Sequence, residues 1–484
     1  MLLSLFSETC RLCVRYVLPT IFRKSPALVP DTLLATPSPS LVRAVRAAVT
    51  RWDRESVLRV EAPAAPADPL AWLDAQTGGP KTYWRGREDA EARASVGAAL
   101  VVEADRLDAL PDRLGDTVDR LPPNARLVTT ARFDADAEVG AEWAPFGAVR
   151  LVLPRIEYRT DGTEAAVAVH LVPGDDVPAV LAEVAALREP DFEEPKALPL
   201  PFMRRDDPDR AEWDRMLRWT FGAFESGTLD KVVLARRARF LFETAVDPVG
   251  LLRRLEAATP RCFHALVAPA SGPTFLTATP ERLFRLGGRV LETEAVAGTR
   301  PRSEADGADD RLRAELLASE KDQREHTYVR TAIETALAPL AERVEVDAKA
   351  SAMTLARGRH LRTGVRAALR PETGPLDVLR ALHPTPAVGG TPRSAALDAI
   401  GRLEPFDRGL YAGVIGWIGR DAGGAEAAEV AVGIRSGLVD GTRLSLYSGA
   451  GIVAGSDPEA EWAEIEHKIG DFARVLGLTD RVEA

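Results

Sequence analysis

The sequence has few cysteines and no long apolar run. Three cysteines in 484 residues exclude a disulfide scaffold, and Cys10 with Cys13 leaves only Cys262 toward a four-cysteine zinc site. No stretch of about twenty uninterrupted apolar residues occurs, which argues against a membrane span. Acidic residues outnumber basic ones and give a net charge of −10, which argues against nucleic acid as a partner. These absences predict a soluble, cytoplasmic protein.

The chain divides into three segments. Residues 1–30 are apolar but interrupted by charges, so we interpret them as a tail or leader and not as a signal peptide. A proline-rich connection, EPDFEEPKALPLP, ends near Pro201 and is the best internal boundary. It separates 31–200, the N-terminal part of one domain, from 201–484. No cluster of chemically active side chains is visible in 31–200.

The patterns predict a mixture of strands and helices. A helix is expected over 207–227, a strand from Lys231, and one long helix over roughly 310–337. The segment LHPTPAVGGTP, 382–392, is predicted to be a loop. Because loops and not helices join many of the strands, the fold class is α+β with large antiparallel sheets.

The stretch SGAGIVAGSDPEAEWAEIEHK, 448–468, combines glycines with carboxylates. Its glycines predict a loop whose N–H groups are open to an anion. Asp457 and Pro458 predict the start of a helix, on which Glu461, Glu464 and Lys468 share a face. A solvated acidic face is the alternative interpretation of such a pair taken alone.

A second carboxylate pair, Asp322 and Glu325, lies on the helix predicted around residue 325. Two such pairs facing one cavity could hold Mg²⁺ directly or through water. Lys231 opens an apolar strand, where it is either a residue whose head group reaches solvent or a general base. Glu281 follows a proline at a strand end, which by itself is an ordinary surface position.

Eight motifs in order resemble the chorismate-utilising enzymes, the family of anthranilate, aminodeoxychorismate, isochorismate and salicylate synthases. The motifs are KVVLARR, TATPERL, AVAGTRPR, SEKDQREH, LHPTPAVGG, FDRGLYAG, GIRS and SGAGIVAGSDPEAEWAEIEHK. They cover Lys231 to Lys468, so 201–484 is expected to be the chorismate-binding catalytic region. The resemblance implies a single α+β domain in which two large antiparallel sheets pack as a sandwich with helices outside.

The resemblance also implies roles for particular residues. Glu325 and Glu464 would be the Mg²⁺ carboxylates, with Asp322 and Glu461 holding bound waters. Lys231 is similar to the general base that activates water, and Glu281 to the general acid that protonates the departing hydroxyl. The substrate-binding groups implied are Gly298, Thr299, His383, Tyr411, Arg435, Gly449 and Lys468, of which Tyr411 and Arg435 would grip the enolpyruvyl carboxylate.

A few positions indicate the subfamily. Ammonia-using members lack the lysine found here at Lys231, and Ala297 stands where aminodeoxychorismate synthases carry a nucleophilic lysine. Pro386 and Ala387 replace the Gly and Thr or Ser of the ammonia-using enzymes. The implied nucleophile is therefore water and the implied activity that of an isochorismate synthase in menaquinone biosynthesis. Salicylate synthase, which shares Lys231 and Glu281, is the alternative.

Two further classes compete with this interpretation. LYSGAGIVAG resembles a dinucleotide-binding turn, but the spacing departs from G-x-G-x-x-G and no second strand with an acidic ribose ligand fits after it. A non-catalytic chorismate-binding protein is the other, against which the intact candidate acid, base and carboxylates argue. We expect chorismate as the small-molecule partner, no glutaminase subunit and a monomer.

Overall fold

Antiparallel strands dominate the structure, a computed structural model that describes residues 37–110, 118, 120–190, 198–301, 308–354 and 358–478. The side chains of 37, 38, 299–301 and 308 are outside this description. Residues Thr36–Ala484 form one compact unit. The predicted tail, 1–30, with Cys10 and Cys13, lies outside the described residues. No helix of the described ranges is both long and apolar enough to cross a membrane.

The described part contains twenty strands and ten α-helices. The strands are β1 Leu58–Ala64, β2 Lys81–Arg85, β3 Ala92–Ala104, β4 Arg126–Ala131, β5 Val149–Thr160, β6 Ala165–Leu171, β7 Met203–Asp207, β8 Lys231–Leu241, β9 Phe263–Ala268, β10 Thr274–Thr279, β11 Arg282–Gly287, β12 Val290–Pro301, β13 Ala341–Val346, β14 Ser351–Thr354, β15 Gly358–Leu369, β16 Gly390–Thr391, β17 Val414–Arg420, β18 Glu426–Val432, β19 Ser436–Asp440 and β20 Arg443–Val453. The helices are α1 Pro37–Val49, α2 Pro69–Ala75, α3 Val177–Ala185, α4 Arg210–Glu225, α5 Pro248–Ala258, α6 Ala308–Ala318, α7 Glu320–Leu337, α8 Pro375–Leu382, α9 Arg393–Leu403 and α10 Pro458–Val475.

All strand pairs in the described part are antiparallel, and their hydrogen bonds form two arms that diverge from β5. One arm runs β5–β3–β2–β9–β10–β19–β20–β8. The other runs β5–β4–β17–β18–β11–β12–β15. The predicted α+β class with large antiparallel sheets is confirmed, and the sheets are joined through β5 by continuous hydrogen bonding.

Buried strands and outer helices follow from the sequence pattern. The first six residues of β8, KVVLAR, are all buried, as expected for a strand covered on both faces. Helix α7 packs against β12 and β15, and α10 packs against β20. The predicted helix over 207–227 is confirmed as α4: Asp209 and Glu212 form a capping box at its start, and Gly227 follows its end with φ 71°.

Three local predictions were wrong. The single helix expected over 310–337 is two helices, because Ser319 caps α7 by accepting a hydrogen bond from the N–H of Asp322. The predicted loop over 382–392 contains the end of α8 and the short strand β16. The glycine stretch after Ser448 is not a loop either: Gly449 and Gly451 lie within β20, opposite Ala235 and Val233 of β8.

Candidate active site

Lys231 begins β8 at the centre of the site. Its backbone lies opposite Val453 of β20 on one side and Thr391 of β16 on the other. The residue is fully buried, and its Nζ lies 3.0 Å from Oε1 of Glu325 on α7. Within the described part of the chain this ammonium makes no hydrogen bond of good geometry. Its N–H groups are therefore available to a bound molecule.

The position of Glu325 depends on a glycine in the facing strand. A Cβ at Gly451 would lie 2.2 Å from Oε1 of Glu325 and 3.3 Å from Cε of Lys231. No side chain fits at that distance, so β20 can approach the carboxylate only because residue 451 is glycine. Gly451 therefore allows β20 and the Glu325 side chain to approach closely. The sequence had instead predicted that the glycines form an anion-binding loop.

The other carboxylate pair lies on α10, whose N-cap is Asp457 as predicted. Glu461 is buried and pairs with Lys321 of α7. Glu464 is half-buried, and its Oε1 lies 2.7 Å from Nζ of Lys468. The Lys468 ammonium also donates a hydrogen bond of 2.9 Å to the carbonyl of Gly449. The predicted shared face of α10 therefore turns inward, toward α7 and β20.

Three carboxylates act electrostatically on the ammonium of Lys321, and Glu461 contacts it directly. Burial alone would lower the pKa of Lys321, but the charges of Glu461, Glu464 and Glu325 outweigh it and raise that pKa. Burial raises the pKa of Glu461. Burial acts in the same direction on Glu464, yet Lys468 holds its pKa below the usual value. The site thus concentrates negative charge from two helices around lysine side chains.

These carboxylates suit a Mg²⁺ ion that keeps several of its waters. No group of three or more His, Cys, Asp or Glu side chains in the described ranges is arranged to hold a metal by itself. Mg²⁺ needs no such cage, because it keeps several waters and is bound through one or two carboxylates plus an anionic substrate. The convergence of Glu325, Glu461 and Glu464 on one cation suits that mode. Asp322 lies beside them, buried against Gly298.

Glu281 occupies the corner between β10 and β11. Its N–H donates to the hydroxyl of Thr279 at 3.2 Å, and its carbonyl accepts from the N–H of Val432 at 3.1 Å. Burial, and next the negative charge of Glu294, raise its pKa to about 8, although Lys231 and Lys468 oppose the shift. At neutral pH this carboxyl therefore holds its proton within the electrostatic reach of Lys231.

Tyr411 lies beside Gly449 and interacts electrostatically with Arg435. Arg435, with φ 50°, joins β18 to β19, and burial lowers the pKa of its guanidinium. No hydrogen bond or ion pair of this guanidinium occurs within the described residues, so its fork is available to an anion. Tyr411 stacks on Tyr447 with ring centroids 5.3 Å apart, and its hydroxyl lies 3.0 Å from the place of a Cβ on Gly449.

Gly298 and His360, a histidine that was not among the predicted site residues, lie near Arg435 and Lys468. Gly298, φ 71°, forms the irregularity where β12 pairs with β15, and its carbonyl lies 3.1 Å from Nδ1 of His360. Burial, and next the charges of Arg435 and Lys468, lower the pKa of His360 to about 3. A histidine in the alternating segment RHLRTGV was the available signal. The backbone of Thr299 pairs with His360. The side chain of Thr299 is outside the described part.

His383 is the candidate whose ring binds to the backbone of another segment. Its Nε2 lies 3.0 Å from the carbonyl of Arg132, and burial lowers its pKa to about 4. No hydrogen bond or ion pair within the described ranges joins it to the cluster around Lys231. The contacts of His383 therefore fix the backbone near the end of α8.

The chain belongs to the chorismate binding enzyme family, whose family model matches residues 43–477. It is 35% identical over 446 residues to the salicylate biosynthesis isochorismate synthase of Pseudomonas aeruginosa, covering 88% of this chain and 91% of the relative. It is 30% identical over 420 residues to the isochorismate synthase MenF of Escherichia coli, covering 85% and 91%. It is 33% identical to isochorismate synthase 2, chloroplastic, of Arabidopsis thaliana, covering 73% of this chain but 64% of that relative.

Solved structures agree with this assignment. The menaquinone-specific isochorismate synthase MenF of Escherichia coli superposes with a TM-score of 0.77 at 28% identity, covering 90% of this chain and 99% of that one. Anthranilate synthase component I of Streptococcus pneumoniae shares the fold, with a TM-score of 0.63 at 18% identity over 94% of this chain and 95% of that one. The predicted membership of the chorismate-utilising family and its fold class are confirmed.

Proposed function

We propose that this protein is an isochorismate synthase, which converts chorismate to isochorismate. The observation that carries the proposal is a buried lysine within electrostatic reach of a protonated carboxyl: Lys231 is fully buried, and Glu281 has a pKa raised to about 8. One group can accept a proton while the other donates one, as water addition and hydroxyl departure require. The names of the relatives from Pseudomonas aeruginosa and Escherichia coli support the same activity.

The reaction balances with these two groups. A water oxygen bonds to C2 of the ring while both ring double bonds shift, C1=C2 becoming C1=C6 and C5=C6 becoming C4=C5, and the C4–O bond breaks. Lys231, after its ammonium has released a proton, takes the proton of the attacking water as an amine base. Glu281 gives its proton to the departing hydroxyl, which leaves as water. No oxidant or further reactant is needed, because the product is an isomer of the substrate.

Positive groups offset the charge of the dianionic substrate. The open guanidinium of Arg435 supports bidentate binding of the enolpyruvyl carboxylate, with the Tyr411 hydroxyl beside it. Lys468, held between Glu464 and the Gly449 carbonyl, lies on the side assigned to the ring carboxylate. Gly298, Thr299 and Gly449 belong to the same proposed substrate site.

Mg²⁺ is the proposed cofactor. Glu325 and Glu464 would hold it directly, and Asp322 and Glu461 would hold its waters. When bound, the cation supplies electrostatic stabilisation of the substrate's ring carboxylate. Glu325, Glu461 and Glu464 each pair with a lysine, namely Lys231, Lys321 and Lys468 in that order. Carboxylates gathered in this way around positive charge would also accept a divalent cation.

Water, and not ammonia, is the proposed nucleophile. Three positions support this choice: Lys231, Ala297 in β12 and Ala387 in the loop after α8. Salicylate synthase is the alternative activity, in which pyruvate is eliminated in a second step. The menaquinone-specific Escherichia coli structure supports menaquinone biosynthesis as the use of the product. The Pseudomonas aeruginosa relative, named for salicylate biosynthesis, supports another use of the same product.

The test is purified protein incubated with chorismate and Mg²⁺ near neutral pH, with early time points and products separated by chromatography. Isochorismate as the first product, unchanged by added ammonium, supports the proposal. Pyruvate with a fluorescent aromatic product, formed at the rate of chorismate loss, would instead identify a salicylate synthase. Chorismate bound but not consumed would identify a non-catalytic binding protein.

We also propose that the protein is a monomer, works without a glutaminase subunit and is located in the cytoplasm. Sedimentation of the purified chain measures the first point. Activity of the chain alone, with no amidotransferase present, measures the second.

A further inference from the structure

Both neighbours of Glu281 are held by a segment of the N-terminal part of the chain, between β2 and β3. Arg87 donates a hydrogen bond of 2.6 Å from Nη1 to the carbonyl of Pro280. Glu88 accepts one of 3.1 Å from Nη2 of Arg282. The residues immediately before and after the candidate acid are therefore fixed from outside their own strands.

The guanidinium of Arg87 also binds the buried carboxylate of Glu294. Nη1 of Arg87 lies 2.5 Å from Oε1 of Glu294, and Nη2 lies 3.2 Å from its Oε2. Nε of Arg362 lies 2.5 Å from the same Oε2. The Glu294 side chain is 1% exposed. A buried carboxylate with two arginine partners stays ionised, and its pKa is indeed held low against the effect of burial.

Arg87 places Glu294 near Glu281, because its Nη1 hydrogen-bonds both to Glu294 and to the carbonyl of Pro280, the residue before Glu281. Next to Glu294 in β12, the Thr293 hydroxyl donates to the carbonyl of Leu283 at 2.6 Å, which holds this part of β12 against the start of β11. Lys231 from β8, Lys468 from α10 and Tyr411 from the segment before β17 are the other titratable groups that interact with Glu281. Glu294 is the one permanent anion in this set.

We propose that Arg87 and Glu294 are positioning residues for Glu281, Arg87 by fixing the Pro280 carbonyl and Glu294 together, and Glu294 by keeping the proton on Glu281. A fixed negative charge beside a carboxyl disfavours its ionisation. The arginines prevent Glu294 from taking up the proton itself. This inference rests on the general-acid role of Glu281 in the proposed function, and it gives the N-terminal part of the chain a share in catalysis.

The experiment follows the titration of Glu281 directly. In protein labelled with ¹³C at the glutamate carboxyl carbon, the Glu281 signal is the one lost in Glu281→Gln. We expect its midpoint to fall by about one pH unit or more in Glu294→Gln, because an anion is removed and two cations stay. Glu294→Asp should restore the midpoint, since it keeps the charge.

A second variant covers the case in which Glu294→Gln fails to fold. Arg362→Gln removes a partner whose side chain is 36% exposed, so the fold should tolerate it. It leaves Glu294 less compensated and should move the Glu281 midpoint upward, opposite to Glu294→Gln. Arg87→Lys keeps the charge but not the paired hydrogen bonds, and should lower kcat about tenfold or more with little change in KM.

Glu157 provides a matched control. It is also a buried glutamate between two arginines, with Arg93 at 3.0 Å and Arg59 at 3.5 Å. Glu157→Gln should lower the melting temperature and leave the Glu281 midpoint unchanged. Unmoved midpoints in both Glu294→Gln and Arg362→Gln, or shifts of the same sign, overturn the inference. A midpoint that moves while the alkaline limb of kcat stays supports the inference and overturns the general-acid role.

Discussion

The ammonium of Lys231 lies 3.0 Å from the carboxylate of Glu325. This contact joins the first residue of β8 to α7, and Gly451 of β20 makes it possible because a side chain there would overlap the carboxylate. The candidate base and a candidate metal ligand are thus in direct contact. A change to either residue should affect both proton transfer and metal binding.

A methyl group at residue 451 tests this geometry. In Gly451→Ala the Cβ would lie 2.2 Å from Oε1 of Glu325, so the carboxylate must move away from Lys231. We expect kcat to fall about a hundredfold with a small loss of stability, since a flexible side-chain end does the moving. Gly470→Ala on α10 is the control: its Cβ would meet nothing within 4 Å. It should keep full activity, and equal loss in both variants would contradict the argument.

Removing the proposed base or acid should leave the substrate site intact. Lys231→Ala and Glu281→Gln are expected to bind chorismate and to lose on the order of a hundredfold or more in kcat. Equilibrium binding of chorismate, circular dichroism and steady-state kinetics measure the three quantities. If Lys231→Ala keeps most of its kcat, Lys231 is a structural partner of Glu325 and not the base.

Activity should require Mg²⁺ and both of its proposed ligands. Glu325→Gln and Glu464→Gln are expected to weaken Mg²⁺ binding, measured by calorimetry, and nearly to abolish turnover. Glu466→Gln is the control, because Glu466 is also on α10 but pairs with Arg204 at 2.8 Å, outside the cluster. Full turnover in excess EDTA would contradict the assignment of Mg²⁺ as the cofactor.

The raised pKa of Glu281 predicts how activity and stability depend on pH. The acid works only when protonated, so kcat should fall as pH rises through about 8. For stability the sign is the same: the folded pKa exceeds the ordinary value of 4.5, so this contribution is complete below pH 4.5 and is lost as pH rises toward 8. Denaturation at several pH values should show the loss in wild type and a smaller one in Glu281→Gln.

Local signals in the sequence determined a good part of this structure. The start of α10 at Asp457, the end of α4 near Gly227 and the apolar strand from Lys231 were all predicted, because caps, glycines and branched runs act within a few residues. The break at Ser319 was missed although Ser319 and Asp322 have the spacing of a helix cap. The ordered motifs also identified the family.

Only the tertiary structure decided which side chains meet. Gly449 and Gly451 looked like a loop because glycine permits turns, but β8 pairs with them as a strand and their missing side chains make room for Tyr411 and Glu325. The ring of His360 contacts the carbonyl of Gly298 in the site, and the ring of His383 contacts the carbonyl of Arg132. Arg87 reached Pro280 across the β-sheet. Such contacts join distant parts of the chain, so no local pattern encodes them; they follow from strand register and from packing in the core.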